Sequence, residues 1–225
     1  MEINILECIE GAKQAQGLTV IIDVFRAFSL ECYLFHQGAK RIIPIGNLNQ
    51  AFALKAEHPD WCLFGERKGA KVDGCDFGNS PNEIAHLDFS NKTIIHTTSA
   101  GTQGIVNAKG ADEIVTASLV NAKAVARYIQ QKNPDLVSIV AMGNQGVCRA
   151  DEDLLCAQYI KALLERKEFR IDQEVEALKK GAGAKFFDPT NLIFPEADFA
   201  LCTNVDHFDF VIQVTKNGNR AYRIQ

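Results

Sequence analysis

The sequence predicts an α/β fold: a three-layer α/β/α sandwich around a mostly parallel, mixed sheet. Two observations predict it. Short continuous runs of β-branched and aliphatic residues recur along the chain, the pattern of strands buried on both faces. Between them lie stretches of helical character, which supply the crossovers that parallel strands require. A length of 225 residues gives enough chain for a substantial core. No repeat, low-complexity tract or linker divides it, so a single domain over 1–225 is expected.

The elements follow in order. "LTVIIDV" (18–24) reads as a buried strand, and "RAFSLECYLFHQGA" (26–39) as a helix closed by Gly38. "RIIPI" (41–45) is a strand, after which Asn47 stands as N-cap of "LNQAFALKAEH". "WCLF" (61–64) is a short strand that opens a glycine-rich stretch, "GERKGAKVDGCDFGNS" (65–80). "KTIIHTT" (92–98) precedes a helix from about Thr102, and "EIVTAS" (113–118) precedes a helix capped by Asn121. "LVSIVAMG" (136–143) leads into a long helix, "DEDLLCAQYIKALLERK" (151–167). From Phe169 the pattern changes to polar helices with Gly and Pro breaks. It ends in "FDFVIQVTKNGNRAYRIQ", where Asn217-Gly218 suits a hairpin turn.

Charge and cysteine content narrow the function. A net charge of −4 gives no global attraction to nucleic acid or an anionic membrane. No apolar run approaches the roughly 20 residues that span a bilayer, and "MEINILECIEGAKQ" lacks the pattern of an export signal. The seven cysteines are scattered and form no C-x-x-C. They read as reduced, mostly buried thiols of a cytoplasmic protein.

Unusual polar residues gather where strands should end. Asp23 and Arg26 follow the first strand; Gly65, Glu66 and Arg67 follow the third; "TTSAGT" (97–102) follows the fourth; "GNQG" (143–146), Glu152 and Asp153 follow the sixth. In a parallel sheet those ends share one edge, so the residues would converge on one cleft. Each also has a plainer reading. Asp23 and Arg26 equally suit an ion pair at a strand–helix junction. Asp151, Glu152 and Asp153 suit the first turn of any helix. Ser80-Pro81-Asn82-Glu83 has the form of a capping box, and His96 that of a packed core histidine.

Known phosphate motifs are absent: there is no G-x-x-x-x-G-K-[ST] and no G-x-G-x-x-G, nor an H-E-x-x-H or G-x-S-x-G. What remains is an anion site of hydroxyls, backbone N–H groups and arginines beside carboxylates suited to Mg²⁺. That combination suits phosphate-ester hydrolysis.

Five segments, in this order, carry a resemblance: "VIIDVFRAFS" (20–29), "GERKGAKVDGCDFGNSPNE" (65–83), "IIHTTSAGTQGI" (94–105), "ASLVNAKAVA" (117–126) and "DEDLLCAQYI" (151–160). Together they resemble the 2-phosphosulfolactate phosphatase family, and "LCTNVDHFDFVIQV" is similar to that family's C-terminal segment. The chain departs from the usual pattern at Phe28, Ser29 and Leu30, at Ala100 and at Cys75.

The resemblance implies a Mg²⁺-dependent phosphatase acting on the route to coenzyme M, and a homodimer. It implies catalytic roles for Asp23, Arg26, Glu66, Arg67 and Asp76. Substrate contacts fall on Asn79, Ser80, Thr97, Thr98, Gly101, Thr102 and Asn121. Metal ligands come from among Asp23, Glu66, Asp76, Glu152 and Asp153. The expected chemistry is metal-assisted in-line displacement at phosphorus, with Arg26 and Arg67 clamping acidic groups. Direct attack by water and a phospho-aspartate at Asp23 both remain open. Another small phosphorylated acid as substrate is one alternative, and a non-catalytic anion-binding protein is another. Thr98→Val is expected to remove an oxyanion donor with little loss of fold.

Overall fold

The computed structural model describes residues 1–215 and 221–224. Its sheet has the strand order β1-β8-β2-β7-β9-β10-β3-β6-β4-β5. The strands are β1 (Glu2–Glu7), β2 (Gly17–Ile22), β3 (Arg41–Pro44), β4 (Cys62–Arg67), β5 (Ala70–Lys71), β6 (Thr93–Thr97), β7 (Ala111–Ala117), β8 (Leu136–Ala141), β9 (Val211–Val214) and β10 (Ala221–Ile224). The helices are α1 (Cys8–Gln14), α2 (Ala27–His36), α3 (Leu48–Glu57), α4 (Gly101–Asn107), α5 (Ala122–Lys132), α6 (Asp151–Glu165), α7 (Ile171–Leu178) and α8 (Glu196–Cys202).

The three layers follow from strand parity. In β2, Val20 and Ile22 pack with Val125 and Ile129 of α5 and Ile160 of α6. Ile21, pointing the other way, joins Ala12 of α1, Phe28 and Leu30 of α2 and Ile105 of α4. Both faces of the strand are therefore covered, which is why its sequence is a continuous apolar run. On the far side, Ile95 of β6 and Leu63 of β4 meet Ala51 of α3. A satellite cluster of Leu155, Leu178, Phe186 and Phe199 fastens the segment carrying α7 and α8 onto α6.

The expected helix signals hold in part. Asn47 Oδ1 accepts from Gln50 N at 3.1 Å, a true N-cap. The chain reverses after α2 at Gly38, whose φ of +92° suits a residue without Cβ. Asn121, in contrast, does not cap α5. Its Oδ1 turns back to accept from Ser118 N at 2.9 Å, closing the short 3₁₀ turn before that helix. The box at Ser80 is half made: Ser80 Oγ accepts from Glu83 N at 3.2 Å, but the Glu83 carboxylate takes the Gly78 N–H. Only a 3₁₀ turn at Asn82–Ile84 follows. The Asn217-Gly218 turn lies outside the described residues, although β9 and β10 do pair antiparallel.

The sheet corrects the premise of one shared edge. β1, β8, β2 and β7 form one parallel block, and β3, β6 and β4 another. Three antiparallel pairings separate them: β7 with β9, β9 with β10, and β10 with β3. An odd number of reversals sets the second block against the first. A flat sheet would then put the ends of β2 and β6 on opposite edges. Strand twist of roughly 20–25° per step, over the steps from β2 to β6, turns one block by about a right angle against the other. The two carboxyl ends meet, as the contacts below show.

Candidate active site

The hydroxyl-and-glycine loop after β6 does bind anions, but they are the protein's own carboxylates. Gly101 N donates to Asp23 Oδ2 at 2.8 Å, and Ser99 N to Glu66 Oε1 at 2.5 Å. Asp23 is also held by the start of α2, Ala27 N donating to Oδ1 at 3.2 Å. Gly69 N donates to Glu66 Oε2 at 2.7 Å, which fastens the β4–β5 turn. A Cβ at Gly101 would stand 3.0 Å from Asp23 Oδ2 and from the Phe28 ring, so a side chain there would press on the carboxylate.

These contacts form one wall of a cleft of about 170 Å³. That volume suits a small metabolite, below the ~300–1,000 Å³ typical of larger ligands. Asp23, Arg26, Glu66, Asn79, Ser99 and Ala100 line it together with Gly143, Asn144 and Gln145 after β8 and Lys185 and Phe194 from the C-terminal segment. The Ala100 N–H has no partner among the described residues.

The acids repel one another. Burial, and then Glu66, pushes the Asp23 carboxyl from 3.8 up to about 7, against the two N–H groups that hold it. Burial also raises Glu152, which Lys185 opposes. Asp153 is raised well above the usual range by burial and then by Asp23 and Glu152. Its oxygens accept from Val24 N and Gly143 N, both at 2.7 Å. Asp153 therefore stitches the ends of β2 and β8 together. Glu152 Oε2 is buried with no partner among the described residues.

The structure does not bring Asp76 to this cluster. It accepts from Leu63 N at 2.7 Å and pairs with Lys55 at 2.9 Å, at the start of β4 rather than its end. Gly65 to Arg67 lie within β4 and do not follow it. Arg67 turns from the cleft to Glu66 O at 2.6 Å and Thr97 Oγ1 at 3.0 Å. Asn121 is buried away from the cleft lining, its Nδ2 without a partner among the described residues. Ser80 binds Asp198 Oδ1 at 2.8 Å in an adjoining groove.

Thr98 and Thr102 serve each other. Thr98 N donates to Thr102 Oγ1 at 3.0 Å, and Thr102 N to Thr98 Oγ1 at 2.9 Å, both residues fully buried. Thr98→Val would leave the Thr102 N–H without its acceptor, a loss of about 1–3 kcal/mol. The expected result is a melting point lower by several degrees, the reverse of the sequence expectation. An unchanged melting point with lost activity would restore the oxyanion role.

Arg26 is a hub. Its guanidinium donates to Asp198 Oδ2 at 2.6 Å, Ile193 O at 2.9 Å and Gly69 O at 2.6 Å, and lies 4.6 Å from the Phe194 ring centroid. Lys185 Nζ lies 4.8 Å from the centroid of the same ring. Sequence reasoning missed Lys185, Phe194 and Asp198, all from the polar segment after Phe169. The only signals were a lysine set between Gly-Ala-Gly-Ala and two phenylalanines, and an aspartate within "ADFALC".

A model of the family described as 2-phosphosulpholactate phosphatase matches residues 3–217. This chain belongs to that family. Its relatives in the family include a Bacillus subtilis protein named "Probable 2-phosphosulfolactate phosphatase", 34% identical across 89% of this chain and 88% of the relative. A Clostridium perfringens protein of the same name is 31% identical across 97% and 95%. One from Clostridium acetobutylicum is 37% identical across 68% and 64%.

The residues present fit the Mg²⁺ that the family implies. Among the described residues, no group of three or more His, Cys, Asp or Glu side chains is arranged as a metal cage. Mg²⁺ does not need one, since it takes one or two carboxylates and completes its shell with water and phosphate oxygens. Asp23 and Glu66 on the cleft wall are hard oxygen donors under mutual repulsion, and Glu152 Oε2 is an orphan. The seven cysteines are all free, with Cys32, Cys75, Cys156 and Cys202 buried, as expected. Among the described residues, no helix is long and apolar enough to cross a membrane.

Proposed function

We propose that the chain hydrolyses 2-phosphosulfolactate to sulfolactate and phosphate in a Mg²⁺-dependent reaction of the coenzyme M type, as a cytoplasmic homodimer. One observation carries the reading beyond the relatives' names. The cleft sets buried acids against Lys185, which makes no ion pair among the described residues, and against Arg26, whose pair with Asp198 leaves further N–H donors over. Such a site suits a polyanion accompanied by a divalent ion.

Asp23 and Glu66 would hold the Mg²⁺, which when bound neutralises phosphate charge and acidifies water. The rest falls to the chain. Asp23, clamped by Ala27 N and Gly101 N, orients the attacking water at its carboxylate edge. Lys185 and Arg26, each held over the Phe194 ring, meet the substrate's other acidic groups. Phe25 and Phe194 shield that side of the cleft.

The test is phosphate release from 2-phosphosulfolactate, and from phosphorylated 2-hydroxy acids without a sulfonate, with Mg²⁺ and with EDTA. Release with Mg²⁺ and none with EDTA is expected. No release from any of them with Mg²⁺ present would overturn the proposal. Light scattering tests the dimer.

Lys185→Met should raise KM for the sulfonated substrate about tenfold or more, the range of a lost charge-assisted hydrogen bond, with kcat little changed. An equal rise for the acid without sulfonate would place Lys185 on the phosphate instead.

A further inference from the structure

Behind the cleft wall lies a row of three polar residues that the chemistry above leaves unused. Glu31 of α2 and His96 of β6 are both fully buried, and Asn79 is 5% exposed. Glu31 Oε1 stands 2.8 Å from His96 Nδ1, and His96 Nε2 stands 2.8 Å from Asn79 Oδ1. The three come from separate elements, so the row exists only in the folded chain. Burying a carboxylic acid and an imidazole is unfavourable even with these bonds, since Glu31 Oε2 has no partner among the described residues, and an apolar pair would fill the space at lower cost.

Asn79 is the member of the row that reaches the cleft. With its Oδ1 accepting from Nε2, the Nδ2 amino group is the end left to the cleft, and it has no partner among the described residues. An amide oxygen can only accept, so Nε2 donates to it. An unanchored amide beside Asp23 and Glu66 would turn freely and offer the cleft its carbonyl as readily as its amino group. The anchored one offers a donor only.

We infer that Glu31 and His96 are positioning residues for Asn79, locking its side chain so that the NH₂ group donates to an oxyanion of the bound phosphate. The inference rests on the proposed phosphatase reading for its ligand. His96 itself does not touch the cleft, because Asn79 stands between.

The test replaces the buried pair by apolar groups of similar size, Glu31→Met with His96→Leu. This keeps the packing and leaves neither partner stranded. The melting point should hold, while affinity for inorganic phosphate with Mg²⁺ falls roughly ten- to hundredfold, the scale of one hydrogen bond to a charged group. Asn79→Ala should give the same loss, and the triple variant should be no worse than Asn79→Ala alone. A purely structural pair would leave phosphate affinity unchanged at an unchanged melting point, and additive losses would likewise overturn the inference.

A second measurement uses the unaltered protein and does not depend on any variant folding. Nitrogen-15 NMR should find a proton on His96 Nε2, and adding phosphate with Mg²⁺ should shift the Asn79 side-chain amide resonances. A bare Nε2, or amide resonances that stay in place while phosphate binds, would sink it. If phosphate binds and shifts Asn79 but 2-phosphosulfolactate is not hydrolysed, the functional reading fails and this inference stands.

Discussion

Asp23→Asn is expected to lower phosphate release by about 10²–10⁴-fold, the range for a positioned acid–base group, and yet to gain stability relative to the metal-free wild type as pH rises to 8. The second half follows from the direction of the Asp23 shift. Its carboxyl is raised from 3.8 to about 7 in the folded chain, by burial and then by Glu66. Between those values the folded chain keeps a proton that the unfolded chain has released. Its contribution to stability is therefore whole below the lower value and is lost as pH rises through the higher one. Asparagine has no charge to bury, but its NH₂ cannot accept from one of the two N–H groups that Asp23 serves, a pH-independent cost of about 1–3 kcal/mol. The variant's stability relative to wild type should therefore rise from pH 4 to 8, from a lower start. Each kcal/mol relieved raises the melting point by about 2–4 °C in a chain of this size. Melting scans at pH 5 and pH 8, with and without Mg²⁺, read the effect. Mg²⁺ should narrow the gap, because it binds the wild-type acids. A variant whose stability relative to wild type does not rise between pH 5 and pH 8 would refute the electrostatic account.

Asp198→Ala should give the largest loss of stability. Asp198 is fully buried and binds Arg26, Ser80 Oγ and Asn82 N at once. Its removal leaves the Arg26 guanidinium charged in a site 97% shielded from water, since that residue is only 3% exposed. Breaking a buried pair from one side costs about 3–5 kcal/mol, so a melting point lower by roughly 6–20 °C is expected. Arg26 also ties Ile193 and Gly69 together. Proteolysis should therefore attack the chain near Ile193 before any other site. A shift under about 3 °C would show that the pair is incidental.

Much of the framework was legible because both-face burial writes itself as continuous apolar runs, as in "LTVIIDV" and "LVSIVA". β1 escaped because it lies at the sheet edge, pairing with β8 alone, and its half-buried "EINILE" has no such run. The site was legible where a charged residue directly follows an unmistakable strand, as Asp23 follows β2. It failed at Asp76, where adjacency in sequence did not reveal that its partners are the Leu63 N–H and Lys55. It failed again for Lys185 and Asp198. Both sit in a polar segment, and only tertiary packing against Phe25 and Arg26 gives them meaning. The hydroxyls of the loop after β6 misled, since nothing local distinguishes a threonine that faces a ligand from one that closes on Thr102.

The strands at the centre of the sheet, β9 and β10, come from residues 211–224. During synthesis they emerge after every other described strand. Until then β7 and β3 each present a bare row of N–H and C=O groups, open to pairing with a neighbouring nascent chain. The two parallel blocks then stand as unjoined half-sheets, and the contact that unites them spans most of the polypeptide. Long-range closure of this kind is slow, and the waiting edges are where misassembly starts. Chaperone dependence in the cell, and a truncation at residue 210 that accumulates as aggregate, are the expected marks of a sheet completed last at its middle.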